Sequence, residues 1–298
     1  MFYHSLERGD LLPLLLLAPA LLLVLVVMVI PLCYGLFLSL LNYSMGEIDL
    51  GRDFVGLANY VRMFGDGVAM KSILNTVKFS LGAVAGDLVF GTLAAVMLFQ
   101  LSRREAAIAR PIVTMPLLIS PIIISLIWRY IYDPQGILYY VLRQFGLGIA
   151  DFPGVTGEST ALLSVVIAHW WQVVPFYVIV LTAGLVSIPQ DLYEAAYVDG
   201  AGGLRVFWRI TFPLPSKVYM VVLFISGVAT VKIFDLIYGL TGGGPNNSTI
   251  SISIYAYGQA FSNVNMGYAM ALSVLAMAVA FLMFGFPFTA FSGRRREN

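Results

Sequence analysis

The sequence predicts an all-α membrane protein with six transmembrane helices. Of its 298 residues, 59% are hydrophobic and only 11% charged, far below the roughly 25% charged content of soluble domains. Six apolar runs are long enough for a hydrocarbon core of about 30 Å, which takes roughly 20 helical residues to cross. Lipid offers backbone N–H and C=O groups no partner, so such runs fold as helices, each satisfying its own ladder.

The first run, Leu11 to Leu41, outlasts the 7 to 15 apolar residues of a secretory signal core and continues well past Ala18-Pro19-Ala20, so an uncleaved helix is expected. Pro31 should kink it, with neighbouring helices satisfying the freed carbonyl. The others are Asn75 to Leu101, Pro111 to Tyr132, Ala161 to Ser187, Val218 to Leu240 and Met266 to Phe291. The connections Asn42 to Leu74, Asp133 to Thr160 and Thr241 to Asn265 are too short for a separate domain. No strong repeat or low-complexity linker divides the chain, which reads as one membrane domain over 1–298. Three glycines and a proline at Gly242 to Pro245 should stop the fifth helix and permit positive φ. Cys33, the only cysteine, cannot form an intrachain disulfide.

Positive charge marks the cytoplasmic side. Arg8, Arg103, Arg104, Arg110, Arg205, Arg209, Lys217, Arg294, Arg295 and Arg296 share one side, ten of the seventeen Lys and Arg residues. Arg52, Arg62, Lys71 and Arg143 share the other, so both termini are expected inside. The net charge of +1, with no basic stripe interleaved with aromatics, gives no case for nucleic-acid binding.

Catalytic machinery is not legible. None of Lys71, Lys78, Lys217 and Lys232 follows a glycine, so no Walker A loop is present. His4 and His169 are the only histidines, and no paired His or Cys ligands have metal-site spacing. A Gly-x-Ser-x-Gly elbow is also absent. No enzymatic activity, metal or cofactor is expected in this chain.

Between the fourth and fifth runs lies a polar, small-residue island, Tyr193 to Pro213. Pro189 and Asp191 suit the first turn of a short helix, by fixed φ and by favourable charge at its N-terminus. Glu194 follows, beside Ala195 and Ala196, which let a partner surface come close. Gly200 lets the chain turn into a second short helix with Val206, Phe207 and Ile210. Asp199 is expected to cap that second helix. A solvated helical hairpin is the plain reading of this knob.

Glu194-Ala195-Ala196, Gly200, Ile210 and Pro213 fall in register with the cytoplasmic signature loop of permease subunits from binding-protein-dependent ABC importers, which this island resembles. Phe212 departs, standing where the pattern has Leu. Phe54 to Tyr60 and Phe234 to Pro245 are similar to segments of the sugar-permease branch, although Phe54 and Tyr60 also suit the headgroup level. The resemblance implies a type I importer architecture in a bacterial or archaeal cytoplasmic membrane, with residues 188–217 as the coupling loop. It implies a second permease, two ATPase subunits that bind ATP and Mg, and an extracytoplasmic binding protein delivering a sugar-like solute. Glu194 would meet a basic residue in an ATPase cleft, and alternating access would follow ATPase closure.

Polar residues within spans are costly and face a cavity or one another. Lys232 and Asp235, three apart, are expected to pair on one helix, and Asp87 to bond across helices. His169, Gln172 and Phe176 share a face at i, i+3 and i+7, two hydrogen-bonding groups and a ring suited to a sugar. The resemblance adds Thr230 to that path. A histidine bonded to a neighbouring helix, or packing by Trp170 and Trp171, fits equally well. Two rival classes remain: an ion-coupled secondary transporter relaying through Asp87, Lys232 and Asp235, and a scaffold that passes no solute.

Overall fold

The computed structural model describes residues 12–44, 46, 49, 53–146 and 152–289. Expectations resting on His4, Arg8, Arg52 and Arg294 to Arg296, and the run ends Leu11 and Phe291, lie outside these residues. Helices dominate throughout; among the described residues β-pairing is limited to two isolated bridges.

Helices α1 (Leu12–Val24) and α2 (Ile30–Leu38) are joined by a π-helical turn at Leu25–Val29. Pro31 lacks an N–H and its ring crowds the carbonyl four residues back. The wider turn just before it, closed by Ile30 N–H on Leu25 O, absorbs that disturbance within the helix itself. Helix α3 (Ala58–Gly65) precedes α4 (Gly67–Gln100), which Asp66 caps by accepting from Val68 and Ala69 N–H. Helix α5 (Arg103–Thr114) opens with a reciprocal Ser102–Glu105 capping box. A 3₁₀ turn at Met115–Leu118 leads to α6 (Pro121–Ile131) and α7 (Ile137–Gln144). Next come α8 (Ala161–Val186), α9 (Gln190–Val198), and α10 (Gly203–Val206), which continues as a π turn over Phe207–Thr211. Helices α11 (Ser216–Val231), α12 (Asp235–Thr241), α13 (Ile252–Tyr257) and α14 (Met266–Ala280) complete the order.

Four stretches are single helices long and apolar enough to cross a membrane: Leu16–Leu38, Gly67–Gln100, Ala161–Val186 and Met266–Thr289. Two more are bent pairs, Arg103–Leu118 with Pro121–Ile131 at 98° and Gly203–Thr211 with Ser216–Val231 at 72°. By length and composition the spans number four, or up to six if each bent pair is one, so the all-α membrane class stands while two spans are corrected in shape. In the third, Pro121 sets the first turn of α6 and pushes Ser120 to an extended ψ of 146°, because a residue before proline disfavours helix. The fifth, expected unbroken from Val218 to Leu240, stops at Val231 and resumes at Asp235. Gly242 and Gly243 end α12 with φ of +62° and +93°, the left-handed conformations their missing Cβ permits.

The described residues form two compact units, one within 1–65 and 256–274, the other within 66–255 and 275–298. In the first, the side chains from Leu16 to Ile30 are exposed, an apolar surface on all sides that suits lipid. Buried Asn59 ties α3 to the end of α2, donating to Ser39 O at 2.9 Å and Leu41 O at 2.8 Å. Tyr60 bonds Ser39 Oγ at 2.7 Å, and Arg62 stacks 4.4 Å from the Tyr268 ring centre.

The second unit is built on α4 packed along α8. One apolar cluster, including Phe79, Ala83, Val165 and Leu236, fills the first half of α4; another, including Ala95, Tyr177, Leu181 and Tyr219, fills its second half. Close approach depends on Gly86, where a Cβ would lie 2.1 Å from the Trp170 ring, and Gly91, where one would lie 2.4 Å from Tyr177 Cβ. The Trp170 indole in turn donates to Gly82 O and Ala83 O. The start of α4 also holds the chain after α12: Asn75 donates to Asn247 O and Ile250 O, and Thr76 accepts from Ile252 N–H.

Gly86→Ala should therefore destabilise the protein by about 1–3 kcal/mol through overpacking. Gly82→Ala, whose new methyl meets Val166 at an ordinary 3.8 Å, should not. Thermal unfolding of both variants in detergent checks this, and equal melting behaviour would show that the Trp170 contact does not limit stability.

Candidate functional site

Pro189 is the N-cap of α9 and Asp191 lies in its first turn. The helix ends in a Schellman closure: Ala201 N–H donates to Ala196 O at 2.9 Å and Gly200 N–H to Tyr197 O at 3.0 Å, satisfying carbonyls that a helix end leaves orphaned. Gly200 takes φ +73° to make this turn, with open space where a Cβ would sit. The demand for glycine there is thus purely a backbone one. Asp199 does not cap the second helix. It is the C-cap of α9, and α10 begins after Gly202, extended at φ −69°, ψ 158°. Leaving α9 through a left-handed residue requires Ala201 and Gly202 before helical geometry resumes.

The base of the knob is firmly seated. Tyr193 and Ile210 pack on the cluster of Leu181, Leu185 and Tyr219, and Tyr193 OH reaches Thr211 Oγ1 at 3.5 Å. Trp208, Phe212 and Tyr219 form a ladder of rings at 5.5 and 5.1 Å. Its tip is free: Val198 is 87% and Leu204 76% exposed. Glu194, Ala195 and Pro213 are exposed and Ala196 half-buried. Glu194 makes no hydrogen bond or ion pair with any described residue. A cavity of about 740 Å³ lies behind the knob, between Phe99 and Gln100 of α4 and Gln190, Tyr197 and Phe207 of the loop. The structure thus gathers the loop residues into one surface, a carboxylate beside small residues and apolar side chains.

The intramembrane residues do not form one site. Asp87 on α4 meets His169 on α8, Oδ2 to Nε2 at 3.0 Å, with both side chains nearly sealed from solvent. Phe79 packs edge-on against the imidazole at 5.4 Å. The partner that the sequence could not name for Asp87 is therefore His169, and His169 takes the geometry of a histidine bonded to a neighbouring helix. Asp87 Oδ1 has no hydrogen-bond partner among the described residues. Gln172 is half-buried, with no hydrogen bond to a described residue, and Phe176 is half-buried with its edge on Tyr177. Thr230 is buried and spends its hydroxyl on Gly227 O at 2.7 Å. The expected Lys232–Asp235 pair is not formed. Lys232 caps the end of α11 and Asp235 opens α12, so the i, i+3 geometry of a continuous helix is lost at the break.

Sequence reasoning passed over Asn59, Asn75 and Thr76, whose bonds fix chain segments far away. Asp66 before an apolar run carried a readable N-cap signal; a lone Asn or Thr within an apolar run carried none. His169→Ala leaves a buried carboxylate without a partner and should cost about 3 kcal/mol. The double change Asp87→Leu with His169→Leu should recover most of it, since apolar replacement of a buried pair is often neutral. Melting temperatures of the single and double variants test this, and an unaffected His169→Ala protein would remove the pair from the stability account.

Residues 87–295 match the family described as binding-protein-dependent transport system inner membrane component. The chain is 34% identical to the probable ABC transporter permease protein YurN of Bacillus subtilis, over 90% of this chain and 92% of that one. It is also 34% identical to the trehalose/maltose transport system permease protein MalF of Thermococcus litoralis, over 88% and 87%. In structure it resembles a chain of a bacterial ABC transporter involved in import of the acidic polysaccharide alginate, with TM-score 0.82, 23% identity and 98% of both chains covered. Matched in this way over most of its length, the chain belongs to the inner-membrane components of binding-protein-dependent transport systems, the permease subunits of ABC importers.

Proposed function

We propose that this permease subunit passes a sugar or sugar-like solute, delivered by an extracytoplasmic binding protein, and that residues 188–217 couple the passage to ATP hydrolysis in partner subunits. The observation that carries this reading is the knob: seated at its base, apolar at its tip, and bearing a Glu194 carboxylate with no partner among the described residues. In this reading Val198 and Leu204 enter a cleft on an ATPase and Glu194 meets a basic group there. Ala195 and Ala196 permit the close approach, while Gly200 holds the turn. The two ATPases bind ATP and Mg, and a second permease completes the translocation path. The Lys and Arg residues on the loop side support a cytoplasmic position for it and for both termini.

The sugar class is supported by the trehalose/maltose transport named for the Thermococcus relative. Gln172 and Phe176 are the path residues this reading retains, one an amide with no partner among the described residues and the other a partly accessible ring. Closure of the ATPases would push the knob against α8 and α11, which meet where Tyr177 OH bonds Ser226 Oγ at 2.7 Å. A transport cycle follows if the solute binds the outward and inward states with different affinity.

Charge reversal Glu194→Lys should cut solute uptake by about tenfold or more, equivalent to roughly 1.4 kcal/mol of lost coupling, with the chain still inserted. Uptake assays beside quantitative membrane blots measure this, and wild-type uptake would remove Glu194 from the coupling surface. Gly200→Val should act on the turn instead, costing about 1–2 kcal/mol for a left-handed β-branched residue. Protease nicking between α9 and α10 would report it.

A further inference from the structure

The first turns of α4 carry two lysines that neither the knob nor the Asp87–His169 pair uses. Lys71 and Lys78 lie seven residues apart, two helical turns, and so share a face. Together they line a cavity of about 550 Å³ with Asn75, Glu158, Trp170 and Ser248. Lys71 Nζ donates to Asn246 O at 2.7 Å, a neutral acceptor that leaves its charge uncompensated. Lys78 is exposed, and neither it nor Glu158 forms an ion pair with a described residue. Asn75 is committed to Asn247 O and Ile250 O and so holds the cavity wall. The cavity thus sets two ammonium groups against a single carboxylate.

Depth places this cavity at the edge of the membrane. The 34 residues of α4 extend about 51 Å at 1.5 Å per residue, well beyond a hydrocarbon core of about 30 Å. Between Lys78 and Arg103 the only charged residue is Asp87, which is buried against α8. The stretch bracketed by those two cations is therefore the part that crosses, and Lys78 and Lys71 lie at and beyond its boundary with water.

We propose that this cavity is an anion site that takes an oxyacid group, a carboxylate, phosphate or sulfonate, at the membrane–water boundary. Lys71 and Lys78 supply the charge, and Trp170 forms an apolar wall for whatever carries the acid. That carrier is either an acidic solute or the headgroup of an anionic lipid, since both present the same chemistry. The site rests on the placement of α4 in the membrane and not on coupling through Glu194, so its failure would leave the import reading intact.

The test is the rate at which Lys71 and Lys78 are acetylated by a water-soluble amine reagent, read by peptide mass spectrometry. It uses the complex purified through this chain, in nanodiscs of phosphatidylcholine. One arm adds glucuronate, with glucose as its neutral control; the other replaces part of the lipid with phosphatidylglycerol. Protection of Lys78 by about threefold, the factor for an anion at twice its dissociation constant, is expected in at least one arm, with Lys217 unaffected. Glucuronate protection assigns the site to a solute and phosphatidylglycerol protection to a lipid. Lys71→Gln should abolish the protection at Lys78. Unchanged acetylation of Lys78 in both arms would overturn the proposal.

Discussion

A carboxylate placed among apolar helices must be answered by another group, and in this chain the answer to Asp87 comes from His169, 82 residues away. The bond crosses the contact between α4 and α8, so it fixes how far one helix can slide along the other. Around it the packing is specific. Gly86 lets the Trp170 ring come against the α4 backbone, Gly91 admits Tyr177, and the indole N–H bonds the carbonyls beside that contact. Lipid is as apolar as the helices, so no hydrophobic driving force pairs them, and close van der Waals packing through small residues with a few polar bonds sets the register.

The knob inherits its position from that pairing. From His169, helix α8 continues to Val186, where the chain enters the loop, and α11 carries it back beneath the same aromatic cluster. Gly184 faces Pro215 and Val218, drawing the two flanks of the loop together. Anything that moves the knob as a body therefore loads α8 and α11 at once, and through α8 the contact with α4. The Schellman closure at Gly200 makes such rigid motion plausible, because the carbonyls that would let the end of α9 fray are already bonded.

What the sequence reveals follows from where each signal is stored. Span lengths and the left-handed turns at Gly200, Gly242 and Gly243 are readable because composition or residue type carries them directly. Bends are less so. Pro121 could have kinked a continuous helix, and only packing turned it into the start of α6 at 98° to its predecessor. The Lys232–Asp235 expectation assumed an unbroken helix, and failed where the helix stopped. Asp199 looked like a cap because the second helix was assumed to start at once. The partner of Asp87 was illegible because a hydrogen bond across helices leaves no spacing in the chain, and Asn59 and Asn75 were silent for the same reason.

The central claim is that the tip of the knob inserts into an ATPase. Placing a photo-crosslinking benzoylphenylalanine at Val198 and irradiating intact cells tests this contact directly. The account predicts a covalent adduct between this chain and a nucleotide-binding ATPase subunit. Efficient photolysis that yields adducts with lipid alone, or with a second copy of this chain, would contradict it.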